Sequence, residues 1–204
     1  MLLLAAADLH GDQQKFDRVL EGINEYTPQL AILAGDIIHR SPQPLQDLIE
    51  SLSIPLLVTR GNMDPSSLAR VLDTPPAMDM SNTQRVLEGL SFVGIGDRVP
   101  RDIYSETYQK NLSLDTIPMD ILISHRPPKG YQDSTSFGEH IGDDGVYNLA
   151  RSHHPRLLLC GHVHEDPGYQ KIGDTMVLNC SVGHQGQFSL ITLDQSIKIR
   201  MVGY

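Results

Sequence analysis

"LLLAAADLHGDQQKFDRVLEGINEYTPQLAILAGD", residues 2–36, holds a strand, a helix and a second strand in close succession. The run "LLLAAA" (2–7) reads as a buried strand and "DLHGD" as the turn that ends it. In "QQKFDRVLEGINEY" (13–26), Phe16, Val19, Leu20 and Ile23 recur at helical spacing, and Asp12 is placed to cap the start. "LAILAG" (30–35) is the next strand. Downstream, "PQPLQDLIESL" (42–52) puts Leu45, Leu48, Ile49 and Leu52 on one helix face, and "IPLLVT" (54–59) is a third strand. Strands alternating with helices through short connections imply right-handed crossovers and a parallel sheet covered on both faces.

Beyond residue 60 the rhythm changes. "TQRVLEG" (83–89) and "LSFVGIGD" (90–97) are close enough to form a hairpin, while "MDILISH" (119–125) and "RLLLCGH" (156–162) are apolar strands ending in polar residues. The last third, "GYQKIGDTMVLNCS" and "QFSLITLDQSIKIRMV", reads as short antiparallel strands joined by turns. So much apolar strand is buried by two sheets packed face to face with helices outside. No repeat, low-complexity tract or linker interrupts residues 1–204, so a single α/β domain is expected.

Composition narrows the function. The formal net charge is −9 with no cluster of lysines or arginines, which disfavours bulk nucleic acid as a partner. Cys160 and Cys180 lie in or at the end of apolar runs and read as buried free thiols, in keeping with a reducing, cytoplasmic location. The apolar start "MLLLAAAD" is too short for a membrane span and lacks a basic flank. No membrane association is expected, and assembly into a homo-oligomer is left open.

Five strand ends carry the chemistry: Asp8 and His10; Asp36 after Gly35; Asn62 after Gly61; His125 after Ser124; His162 and His164 after Gly161. Carboxyl ends of strands in such sheets share one edge, where ligands bind. Taken singly, Asp8 could start a turn, Asp36 could cap a helix and His125 could be a satisfied core histidine. Together, two carboxylates, an amide and four imidazoles cluster cheaply only around positive charge. Mixed nitrogen and oxygen donors suit Mn, Fe, Zn, Co or Ni, and seven donors suit two ions better than one.

The blocks "DLHG" (8–11), "GD" (35–36), "GNMD" (61–64), "SH" (124–125) and "GHVH" (161–164) closely resemble, in this order, the calcineurin-like metallophosphoesterase superfamily. "SHRPPKGYQD" (124–133) and "EHIGDDGVYNLA" (139–150) look most like its small stand-alone phosphodiesterases. The resemblance implies a four-layered α-β-β-α sandwich with two mixed sheets. It implies that Asp8, His10 and His164 hold one divalent ion, that Asn62, His125 and His162 hold the other, and that Asp36 bridges them. A hydroxide shared by the ions, Mn being favoured, would then attack phosphorus in line.

Met63 departs from the pattern. The family usually has Gly-Asn-His followed by an acid; here Met63 stands at the histidine, and Asp64 keeps the acid. A thioether gives no proton. A general acid typically contributes about 10²–10⁴-fold, so poor leaving groups should suffer and activated ones should not. Asp36, Asn62, Met63 and Asp64 are thus the catalytic candidates. Asp64, followed by Pro-Ser-Ser and "LARVL", also looks like a helix N-cap. Arg126 and His140 are candidate substrate contacts, and "RVPRDIYSETYQKNL" (98–112) lies in a stretch expected to shape specificity. The expected activity is hydrolysis of a small phosphodiester or nucleotide-like substrate. The rivals are a phosphomonoesterase, a nuclease and a catalytically inactive interaction module of the same fold.

Overall fold

The computed structural model describes residues 1–96, 118–183 and 186–204. The segment 98–112, expected to shape specificity, falls outside them. The first sheet contains β1 (Leu2–Ala6), β2 (Leu30–Ala34), β3 (Leu56–Thr59), β4 (Ala77–Asp79), β11 (Phe188–Leu193) and β12 (Ile197–Val202). Its strand order is β12-β11-β1-β2-β3-β4, parallel from β1 to β4 and antiparallel through β11 and β12. The second contains β5 (Thr83–Leu87), β6 (Leu90–Ile95), β7 (Ile121–Ser124), β8 (Leu157–Cys160), β9 (Gly168–Ile172) and β10 (Thr175–Asn179), in the order β5-β6-β7-β8-β10-β9. Helices α1 (Gln13–Tyr26), α2 (Gln43–Ser51), α3 (Leu68–Leu72) and α4 (Asp144–His153) lie outside the sheets.

Period-two alternation builds the layers. In β1, Leu4 and Ala6 join Phe16, Val19 and Ile23 of α1 and Leu45, Leu48 and Ile49 of α2 in an outer core. Leu3, Ala5 and Ala7 face the other way and meet Phe92, Ile121, Ile123, Leu157 and Leu159 between the sheets. A third core packs Val93, Leu122 and Leu158 against Val146 and Leu149 of α4. Each buried aliphatic or aromatic side chain in such a core stabilises by about 1.5–3 kcal/mol. Three cores between four layers make the expected sandwich.

The C-terminal strands are less uniformly antiparallel than their sequence suggests. β9 and β10 form a hairpin, but β10 runs parallel to β8, while β11 and β12 cross to the first sheet beside β1. The sheets touch where β1 and β10 end. Ala7 N–H donates to Cys180 O and Val182 N–H to Ala7 O, each at 3.0 Å. Cys160 and Cys180 are both buried free thiols, and the Cys180 thiol donates to Cys160 O at 3.2 Å. No helix among the described residues is long and apolar enough to cross a membrane.

Candidate metal centre

Each site strand stops in a sharp turn. Asp8, His10, Asp36 and His162 all have positive φ, at 63°, 52°, 53° and 71°. Left-handed backbone on a non-glycine residue costs on the order of 1–3 kcal/mol and persists only where its surroundings over-determine it. Backbone bonds do so here: Asp8 N–H donates to Gly35 O at 3.0 Å and His10 N–H to Asp36 O at 2.9 Å. His162 and His164 lie in such a turn, in which Val163 N–H donates to Gly161 O at 2.9 Å.

The glycines before the ligands leave room for them. A Cβ on Gly61 would lie 2.2 Å from Asp36 Oδ1, and one on Gly161 would lie 2.6 Å from Asp8 Oδ2. One on Gly35 would stand 2.4 Å from His125 Nδ1. Close approach of side chain to backbone, rather than turn propensity alone, requires glycine at these places.

Two groups of donors result. Asp8, His10 and His164 offer ligand atoms within 4.8 Å of one another, and so do Asp8, Asp36 and His125. In the first group His10 Nε2 lies 3.3 Å from His164 Nε2, which lies 3.4 Å from Asp8 Oδ1. Asp8 is completely buried; Oδ2 accepts from His162 N–H at 3.0 Å, and Oδ1 has the His164 imidazole as its neighbour. Burial pushes the Asp8 carboxyl up, but His164, His125 and Ser181 pull its pKa below the ordinary value.

The second group centres on His125. Its Nδ1 lies 3.0 Å from the Ala34 carbonyl, which can only accept, so Nδ1 carries the proton and Nε2 presents a lone pair. That nitrogen faces Asn62 Oδ1 at 3.1 Å, His162 Nδ1 at 3.3 Å and Asp36 Oδ2 at 3.4 Å. Four possible ligand atoms thus converge on one point, where His125 has no solvent exposure. A divalent cation fits this arrangement. In the metal-free chain a proton can stand in: burial opposes charge on His125, but Asp36 and Asp8 raise its pKa above the usual range. Burial, then the His125 and Arg126 charges, pull His162 down to about 4, leaving it neutral for ligation at pH 7.

The structure therefore brings all seven strand-end candidates together, and the donors fit divalent ions. Asp8 belongs to both groups, whereas Asp36, the expected bridge, belongs to one.

Asp64 is not a helix cap. The helix starts at Leu68 after Ser67, without a side-chain cap, and Asp64 points back into the site. It accepts from Ile37 N–H at 2.8 Å, Ile38 N–H at 2.9 Å and Gly61 N–H at 2.8 Å, clamping the loops behind Asp36 and Asn62. Met63 N–H donates to Asp36 Oδ1 at 2.7 Å, and the Met63 residue is 47% exposed. Backbone orients the carboxylate while the thioether faces outward.

Two residues not singled out in the sequence also matter. Lys15 Nζ donates to Asp8 O at 3.0 Å, and burial lowers its pKa. Asp133 is buried and organises the loop after His125. It accepts from Gly130 N–H and Gly142 N–H at 2.9 Å and lies 2.6 Å from His140 Nδ1. Ser134 N–H then ties that loop to Asp166 Oδ2 at 3.0 Å, two residues past His164. Arg126 is close enough for its charge to act on His162. His39 and His154 are exposed.

Comparison with known proteins agrees with this geometry. An uncharacterised protein of Methanocaldococcus jannaschii is 25% identical over 205 residues, covering 89% of this chain and 88% of its own. The crystal structure of TT1561 from Thermus thermophilus superposes with a TM-score of 0.72 at 18% identity, covering 98% of each chain. A novel archaeal phosphodiesterase gives 0.62 at 15% identity over 99% of this chain and 100% of its own. At those identities the two structures show the fold. The description of the calcineurin-like phosphoesterases matches residues 1–166, and the chain belongs to that family of metal-dependent phosphoesterases.

Proposed function

We propose that this protein is a phosphodiesterase with a dinuclear metal centre, built by residues 1–204 acting as one domain. The observation that carries it is the convergence of Asn62, His162 and Asp36 on His125 Nε2, together with the buried Asp8 carboxylate that belongs to both donor groups. In this reading Asp8, His10 and His164 hold one ion, Asn62, His125 and His162 hold the other, and Asp36 lies between. When bound, a pair of divalent ions such as Mn supplies Lewis-acid charge for the phosphoryl oxygens and a water made nucleophilic at neutral pH.

The side chains do the rest. Asp64 fixes the two loops that carry Asp36 and Asn62, so its role is positioning. The Met63 amide orients Asp36, and the Met63 side chain leaves the usual proton-donor position without a proton. Arg126 pairs with a phosphate oxygen. His140, whose Nδ1 is engaged by Asp133, offers Nε2 to the substrate. A diester bears one negative charge, which suits an acidic chain of net charge −9 better than a dianionic monoester does.

The test is turnover of bis-p-nitrophenyl phosphate against p-nitrophenyl phosphate by metal-stripped protein resupplied with Mn²⁺. Higher kcat/KM on the diester is expected. Met63→His should leave these activated esters unchanged and speed esters of poor leaving groups by about 10²-fold or more. Preference for the monoester would overturn the diesterase reading, and metal binding without any turnover would favour an interaction module.

A further inference from the structure

We propose that the cavity beside His164 is the subsite for one alcohol arm of the substrate, and that it takes a neutral, hydroxyl-bearing ring such as a nucleoside. The proposal rests on the phosphodiesterase reading and names the kind of diester.

The cavity has a volume of about 290 Å³ and is lined by His164, Glu165, Pro167, Val182, Gly183 and Tyr204, among others. His164 lines it and also belongs to the Asp8–His10 donor group, so an arm seated there is one imidazole away from the reacting phosphorus. A larger cavity of about 560 Å³ lies between α3, β4 and Arg85 of β5, and none of the seven candidate ligands lines it. Position, rather than size, selects the smaller one.

Its walls define the chemistry. The Tyr204 hydroxyl donates to Ser181 O at 2.8 Å, which holds the phenol ring as one wall. Gly186 backs that ring so closely that a Cβ there would lie 2.6 Å from ring carbons. Pro167 and Val182 add apolar surface. Among the described lining residues there is no lysine or arginine, and Glu165 contributes a carboxylate. An anionic arm is therefore repelled, while sugar hydroxyls find an acceptor and a flat ring finds an aromatic face. Ligand cavities run roughly 300–1,000 Å³, so this one admits a single nucleoside-sized group and excludes a polymer.

Methyl p-nitrophenyl phosphate and thymidine 5′-(p-nitrophenyl phosphate) share a leaving group and differ in the retained arm. With Mn²⁺-loaded protein the thymidine ester should show a KM lower by about tenfold, the equivalent of one good aromatic contact. Tyr204→Ala should raise KM for the thymidine ester alone, with kcat retained, and Tyr204→Phe, which keeps the aromatic face but loses its tether to Ser181 O, should recover part of that KM. Thymidine itself should bind the metal-stripped protein by ligand-observed NMR and lose binding in Tyr204→Ala. Equal KM values for the two esters, a Tyr204→Ala effect shared by both, or thymidine binding indifferent to Tyr204 would overturn the subsite. If neither ester turns over, the phosphodiesterase reading fails, and thymidine binding to the metal-stripped protein still decides the subsite.

Discussion

The two sheets bring different chemistry to one edge. The first supplies both carboxylates and the amide, with Asp8 and His10 past β1, Asp36 past β2 and Asn62 past β3. The second supplies imidazoles alone, His125 past β7 and His162 and His164 past β8. Neither half is a metal site by itself. Two buried carboxylates without counter-charge would be costly in the first, and three imidazoles in the second would repel one another if charged. The donor groups form where the two sheets meet, with the inter-sheet core packed between them and Ala7 bonded across the seam to Cys180 and Val182. The site is thus a property of inter-sheet packing, and bound metal should staple one sheet to the other.

The largest effect should come from Asp36, which touches His125 of the second sheet and is held by Met63 of the first. Asp36→Asn should cut metal affinity by more than about 100-fold, the upper end of what outer partners of ligands cost. Equilibrium dialysis with Mn²⁺ reads it directly. Unchanged affinity would separate the two halves of the site.

Next come the glycines that cross the seam. Gly161→Ala presses a second-sheet methyl onto Asp8, and Gly35→Ala presses a first-sheet methyl onto His125. Each should destabilise the apo protein by about 1–3 kcal/mol as overpacking does, and should weaken metal binding as well. Denaturant titration with and without metal separates the two. For the unsubstituted chain, Mn²⁺ at 100 times its dissociation constant should add about 2.7 kcal/mol of stability.

The smallest effect contrasts the seam with the loop outside it. Burial pushes the Asp133 carboxyl up, but bonds from Gly130, His140 and Gly142 leave its pKa below the ordinary value. A depressed carboxylate stabilises above its unfolded pKa of about 3.9, and that contribution is lost as pH falls through the lower folded value. Amide protection in residues 126–143, taken relative to the intrinsic exchange rate at each pH, should therefore fall on acidification toward pH 3. In Asp133→Asn that protection should be low already at pH 7 and show little dependence on pH, with about 1–3 kcal/mol of it gone. The β-strand amides should be indifferent to this change.

Much of this could be read from the chain because ligands and strand ends coincide in sequence. "DLHG", "GD", "GN", "SH" and "GHVH" each follow an apolar run, and the amount of apolar strand points to two packed sheets. What escaped reading depends on partners that no local sequence pattern announces. Asp64 has the local look of an N-cap, yet its bonds run back to Ile37 and Ile38. Asp133 sits in a loop without periodicity, and its burial exists only once Gly130, His140 and Gly142 fold around it. Tyr204 and His164 meet at one cavity although 40 residues separate them. The destination of β11 beside β1 is likewise invisible in a strand pattern that suits either sheet.

The most direct measurement is the metal content of purified protein after stripping and resupply with Mn²⁺, by inductively coupled plasma mass spectrometry, beside Asp36→Asn and Asn62→Ala. The account predicts two tightly held ions per chain, falling in both variants. One ion or none in the unsubstituted protein, or two ions that persist in both variants, would contradict a dinuclear centre assembled across the seam.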